Sequence, residues 1–226
     1  MGMTPERQVE IAKWFGEIDS EPYYKHPKAP VDDIFRVSND YTEGCTNVGR
    51  TGWHIDGSFR PCPYKISVYH MPHVPKTGDT RFVGMTEVYE SLSDEQKANW
   101  NRLWMVADRR TDIVHPIVYK HPITGKTTLC FHCGMIDAFV QDFDTQRPRL
   151  LKPKEAAAMI EEIHNAVVRD NERLIYSHKW MPGDFILSDN LAVGHEADPM
   201  SQAPRSEVGL RVLHRVTVAG THEPAK

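Results

Sequence analysis

The sequence predicts a mainly β protein, a sandwich or barrel with helices on its flanks. Three observations carry this reading. Short runs rich in strand formers recur at close spacing, and the few helical patterns lie outside them. Strand and helix patterns do not alternate regularly, which speaks against a doubly wound α/β fold. Thr4 to Ile18 reads as a helix, with Thr4 as cap, Pro5 in the first turn and Val9, Ile11, Ala12, Phe15 and Ile18 as a rough apolar face. Ser20 to Asp32 holds three prolines and reads as loop, in which Tyr23-Tyr24 is a candidate lid. Ile34 to Ser38 is a short strand; Asp40 to Gly52 is polar and irregular. Strands follow over Tyr64 to Tyr69 and, after the turn at Val74 to Asp79, over Thr80 to Val83. Ser93 to Leu103 reads as a helix with a Ser93/Gln96 capping box. His121 to Lys126 is a hairpin turn between Ile117 to Tyr119 and Thr127 to Phe131. Pro153 to Val168 is the clearest helix, with Met159, Ile160, Ile163 and Val167 on one side. Leu174 to His178, Asp184 to Leu187, Leu191 to Val193 and Gly209 to Val218 are the late strands.

The 226 residues fit one domain, 1–226, with elaborations. Lys and Arg number 27 against 31 Asp and Glu, so the net charge of -4 argues against a nucleic-acid partner. No apolar run is long enough to span a membrane, and the opening Met1 to Arg7 lacks the apolar stretch of a secretory signal. Four cysteines are too few for a disulfide scaffold, so a reducing, cytoplasmic setting is the expectation. A homo-oligomer is compatible with the sequence. The unusual count is histidine, with 12 residues.

His54-Ile55-Asp56 is the first candidate for chemistry. In an extended segment, side chains two apart point the same way, so an imidazole and a carboxylate would face one side. With a distant histidine they make a 2-His-1-carboxylate triad, which holds iron(II) and leaves open positions. The plain alternative is a surface His beside an Asp in a turn. The segment Trp180 to Asn190, followed by His195, reads as a turn into a buried strand, with an incidental histidine as the plain alternative. In Arg211 to Val218, alternation puts Arg211, Leu213 and Arg215 on one face. Two arginines on a core-facing surface need anions, unless the strand is an edge with solvated side chains. Cys130-Phe131-His132-Cys133 invites a zinc reading, but Cys45 and Cys62 supply no second pair, so buried thiols are preferred.

Together these residues resemble the taurine dioxygenase (TauD/TfdA) family. The resemblance rests on His54-x-Asp56, Gly78-Asp79-Thr80, His121-Pro122-x-Thr124-Gly125, Trp180 to Asn190 with His195, and Arg211-x-x-His214-Arg215, in that order. It implies a double-stranded β-helix (a cupin-like jelly roll) and an iron(II)- and 2-oxoglutarate-dependent dioxygenase that consumes O2. His54, Asp56 and His195 are then the metal ligands, and Thr80 and Arg211 hold the far carboxylate of 2-oxoglutarate. Arg205, nearer to His195, competes for that role but sits in a polar loop, so Arg211 is preferred. Arg215 and His26 match substrate positions, and Arg50 adds charge on the same side. The expected substrate is a small anion: a carboxylate, a sulfonate or an amino acid. The expected product of the co-substrate is succinate with CO2, alongside hydroxylation or a related C–H oxidation. Against the family, the chain is expected to lack the strand-rich segment before the first helix. Two other readings compete: a non-catalytic binding protein of the same ancestry, and a zinc hydrolase using the same ligands, in which Arg211 and Thr80 would have no task.

Overall fold

The computed structural model describes residues 2–19, 25–49, 52–107 and 113–226. Along the chain run α1 (Pro5–Lys13), β1 (Phe35–Ser38), β2 (Ile66–His73), β3 (Thr80–Gly84), α2 (Met85–Glu90), α3 (Asp94–Trp100) and β4 (Leu103–Ala107). Then come β5 (Val114–Pro116), β6 (Val118–Lys120), β7 (Thr127–Leu129), β8 (Ile136–Gln141), β9 (Arg149–Leu150) and α4 (Pro153–Glu172). The chain closes with β10 (Ile175–His178), β11 (Phe185–Asp189), β12 (Val193–Ala197), α5 (Arg205–Val208) and β13 (Val212–Val218).

Two antiparallel sheets, ordered β1-β13-β2-β11 and β10-β3-β12, form the jelly-roll core. Val37, Tyr69, Met71 and Leu213 of the first pack against Phe82 of the second and against Trp180. A third sheet, β5-β4-β8-β9, and the β6–β7 hairpin lie beside them. Here Trp53, Trp100, Phe131 and Phe139 are fully buried, with Ile163 and Val167 of α4 in the same cluster. On the far side of the first sheet, α1 lays Val9 and Ala12 over Val68 and Val216. Gln8 of α1 donates to the carbonyls of Val68 and His214, both at 3.0 Å, and so ties the helix to two strands.

Several boundaries differ from the sequence expectation, each for a local reason. The first helix stops at Lys13 rather than Ile18: Gly16 turns at φ +141°, and Ile18 pairs with Val218 instead. The second predicted helix keeps its Ser93/Gln96 capping box but ends at Trp100, and Leu103 opens β4. The helix of Pro153 runs in regular geometry to Val168, as expected; Arg169 to Asn171 leave it. β2 starts at Ile66 rather than Tyr64, because the Tyr64 carbonyl is taken by the Asn190 side chain. His195 sits inside β12, not after a strand, since Ala192 N–H closes a turn onto Asp189 and delays the strand to Val193. β13 starts at Val212, because Gly209 at φ +88° ends α5 just before it. Cys130 and Cys133 follow β7 rather than lying on it, as free thiols. Tyr23-Tyr24 and Arg50 fall outside the described residues.

One buried cluster makes stability depend on pH. His214 of β13 pairs in register with His70 of β2, and Arg36 Nη1 donates to its Nε2 at 2.8 Å. Burial first, and then the neighbouring charges of Arg36, His70 and His73, bring His214 down to about 3. The unfolded chain therefore binds this proton first as pH falls. The stabilisation is full above about pH 6.5 and is lost as pH drops from there toward 3, with a slope of up to about 1.4 kcal/mol per pH unit. Urea midpoints at pH 7 and pH 5 should show the loss, and His214→Phe should make the slope shallower, leaving the part set by the buried imidazoles His195 and His132. An equal slope in that variant would sink this account.

Candidate metal centre and substrate cleft

The distant segments carrying His54, Asp56 and His195 meet at one end of the jelly roll. His54 bridges to His195 backbone to backbone, with N···O distances of 3.1 and 2.8 Å. One donor atom from each of the three side chains lies within 4.8 Å of the others, and all three residues are buried. His54 Nδ1 donates to the Gly52 carbonyl at 2.7 Å. That carbonyl can only accept, so the lone pair of His54 is on Nε2, 3.9 Å from Asp56 Oδ1. His195 Nε2 lies 3.7 Å from Asp56 Oδ2. Burial lowers both imidazoles, His195 to about 3, which keeps them neutral and able to donate lone pairs. Burial would raise the Asp56 carboxyl, but the Arg215 guanidinium beside it outweighs that and holds the group well below the usual range. Two neutral nitrogens and one ionised carboxylate are the donor set that suits a first-row divalent metal with open positions.

The Asp189-Asn190 turn has a task that spacing did not reveal. Asn190 Oδ1 accepts from Asp56 N–H at 2.8 Å, and Nδ2 donates to the carbonyls of Asp56 at 2.9 Å and Tyr64 at 2.6 Å. One buried amide thus holds the backbone of the carboxylate donor and that of Tyr64 together. Tyr69 is a second missed residue: its hydroxyl lies 3.3 Å from both Asp56 Oδ2 and His195 Nε2. Alternation along β2 could have placed it inward. His132 is the third. Its ring stacks on His54 at 4.4 Å and 28°, and burial brings it down to about 2. The Cys-x-x-Cys frame drew the eye to its neighbours instead.

Behind the triad, a narrow cavity is lined by Thr80, Arg211, Leu213, Arg215 and His195, so Leu213 and Arg215 of β13 and Arg211 just before it share one side, as their alternation in the sequence predicts. Arg211 is 2% exposed. Its Nε donates to the Gly78 carbonyl at 3.3 Å, and among the described residues no carboxylate pairs with it. Gly78 adopts φ +107°, and a Cβ there would stand 2.8 Å from Ser201 Cα, so only glycine presents that carbonyl. Burial brings the guanidinium down to about 10, still charged at neutral pH. Thr80 Oγ1 accepts from the Trp180 indole at 3.0 Å, which leaves its own proton for an anion. Arg205 instead lies half exposed on α5 and pairs with Asp40 at 3.1 Å.

On the open side lies a cleft of about 710 Å³, within the size range of small-molecule sites. Phe35, Tyr41, Phe59 and Met135 line it, with His26, Tyr64 and Arg215. Arg215 borders both cavities. Its protein partner is Asp56, at 2.5 Å from Nη1, and not Asp184 or Asp189, which bind His178 and His121. Among the described residues its Nε has no hydrogen-bond partner. His26 reaches the cleft but spends both ring nitrogens on backbone: Nδ1 accepts from Lys28 N–H and Nε2 donates to the Tyr41 carbonyl, each at 3.1 Å.

Among the described residues no helix is long and apolar enough to cross a membrane. A sequence model described as "Taurine catabolism dioxygenase TauD, TfdA family" matches residues 1–217. An (S)-phenoxypropionate/alpha-ketoglutarate-dioxygenase of Sphingobium herbicidovorans is 25% identical over 96% of this chain and 79% of its own length. A pentalenolactone F synthase of Streptomyces arenae is 25% identical over 93% of this chain and 77% of its own. Among solved structures, a taurine dioxygenase from Burkholderia xenovorans superposes with a TM-score of 0.77 at 23% identity, covering 99% of this chain and 74% of that one. AAD-2, crystallised with Mn(II) and N-oxalylglycine, reaches 0.71 at 21% identity, covering 99% and 81%.

Proposed function

The chain belongs to the TauD/TfdA family of dioxygenases, which use iron(II), 2-oxoglutarate and O2, and we propose that it oxidises a small organic acid with an apolar body. The observation that carries this reading is Arg215, which borders both the narrow cavity lined by Thr80 and Arg211 and a cleft walled by Phe35, Phe59, Tyr41 and Met135. In this reading His54, Asp56 and His195 hold the metal. When bound, iron(II) supplies the redox chemistry that couples loss of CO2 from 2-oxoglutarate to substrate oxidation. The chain's own groups bind and orient. Arg211 forks onto the far carboxylate of 2-oxoglutarate, and Thr80 adds a hydrogen bond. Arg215 meets the substrate anion with the part of its guanidinium that Asp56 does not use. Tyr69 and His132 fix the metal-binding groups from two sides. His26 acts through the Tyr41 loop, since its nitrogens are engaged.

The aromatic wall favours an aryl or aliphatic acid over a short sulfonate, and the name of the Sphingobium relative points to the same class. A zinc hydrolase would leave the buried, unpaired Arg211 unexplained. The test is succinate formation from 2-oxoglutarate with iron(II), across a panel of aryloxy acids, aliphatic acids, amino acids and taurine. Iron-dependent succinate release, strongest with an apolar acid, supports the reading; no acid-stimulated release refutes it.

A further inference from the structure

We propose that Tyr64 determines substrate specificity, its phenol donating a hydrogen bond to an ether or carbonyl oxygen within the substrate body, apart from the anionic group. This rests on the functional reading above and adds a second recognition point to it. Tyr64 is 5% exposed and lines the cleft, and its hydroxyl makes no hydrogen bond to the described residues. The other polar groups deep in the cleft, below the rim of Tyr41 and Thr46, are already engaged. His26 has both nitrogens on backbone, His54 and Asp56 belong to the donor triad, and Arg215 answers the acid. His132 stacks its ring on His54 beside the triad.

The ring is also held in place. Gly57, at φ +76°, brings backbone against it: a Cβ there would lie 2.7 Å from Tyr64 Cδ2. The Arg60 guanidinium covers the ring at 5.3 Å. Asn190 fixes the Tyr64 carbonyl to the segment of Asp56. A rotamer locked in this way loses little freedom on binding, so its hydrogen bond discriminates well. Burial raises the phenol, which keeps the proton on the oxygen.

Phenoxyacetate and 3-phenylpropanoate test the idea, because they share charge, length and ring and differ in one ether oxygen. Calorimetry on the full chain, with manganese(II) and 2-oxoglutarate present, should show phenoxyacetate binding about five- to tenfold tighter. Tyr64→Phe keeps the ring between Gly57 and Arg60 and should bring the two acids level by weakening phenoxyacetate alone. Equal binding by the wild type, a preference that survives in Tyr64→Phe, or no binding of either acid overturns the assignment. Those results leave succinate release intact if the functional reading holds; loss of acid-stimulated succinate release across the whole panel sinks that reading instead.

Discussion

His195→Ala should abolish metal binding and acid-stimulated succinate release together. The triad offers one donor atom per residue, so alanine leaves two, and the 2.8 Å backbone contact from His195 to His54 stays to keep β12 in register. The effect should exceed the roughly 100-fold that loss of an outer hydrogen-bond partner costs a metal site. Metal content after dialysis and succinate yield are the two readouts. Thermal unfolding supplies the control, since removing an imidazole that is neutral in the fold leaves no unpaired charge. Full turnover in this variant, or unchanged metal content, would remove His195 from the site.

Arg211→Ala should raise the apparent 2-oxoglutarate constant about 10- to 100-fold, the equivalent of a charged hydrogen-bonded pair worth roughly 1.5–3 kcal/mol. Arg205→Ala should leave it unchanged, because Arg205 spends its charge on Asp40 at the surface. Arg211→Lys should fall between, keeping the charge but losing the planar fork. Titration of 2-oxoglutarate at fixed substrate distinguishes the three. A large effect from Arg205 with none from Arg211 would move the binding site to α5.

The features legible in the sequence were those set by period. Alternation from Arg211 into β13 put Arg211, Leu213 and Arg215 along one cavity, and the His-x-Asp spacing put two donors together. The Ser93/Gln96 capping box and the Pro153 to Val168 helix followed from local chemistry. What was missed depends on contacts across the chain. Asn190 binds Asp56 across 134 positions, and no local pattern encodes that partner. His132 acquires a role only because the bridge to His54 stacks the two rings. β4 was partly absorbed into a helix because Leu103 continues the apolar spacing of α3. His26 reads as a substrate ligand by position, yet the turn to Lys28 and the Tyr41 carbonyl consume its hydrogen bonds.

The three bonds of Asn190 have a bearing on how the enzyme can be re-engineered. The amide welds the segment of Asp56 to the one that presents Tyr64, so a change that shifts either backbone shifts the other. Laboratory evolution at the start of β2 should therefore trade substrate scope against metal retention in nearly every mutant. The wall from Tyr41 to Gly49 lies outside that amide's reach: it hangs on Asp40–Arg205, His26–Tyr41 and Asn47–Gln202, on Cys45 bridged to β1, and at Gly49 on the N–H of Ala197 in the strand of His195. Mutant libraries confined to the Tyr41 end of that loop, away from Gly49 and its bond to the strand of His195, should yield new substrates without loss of metal, and this is where diversity is best placed.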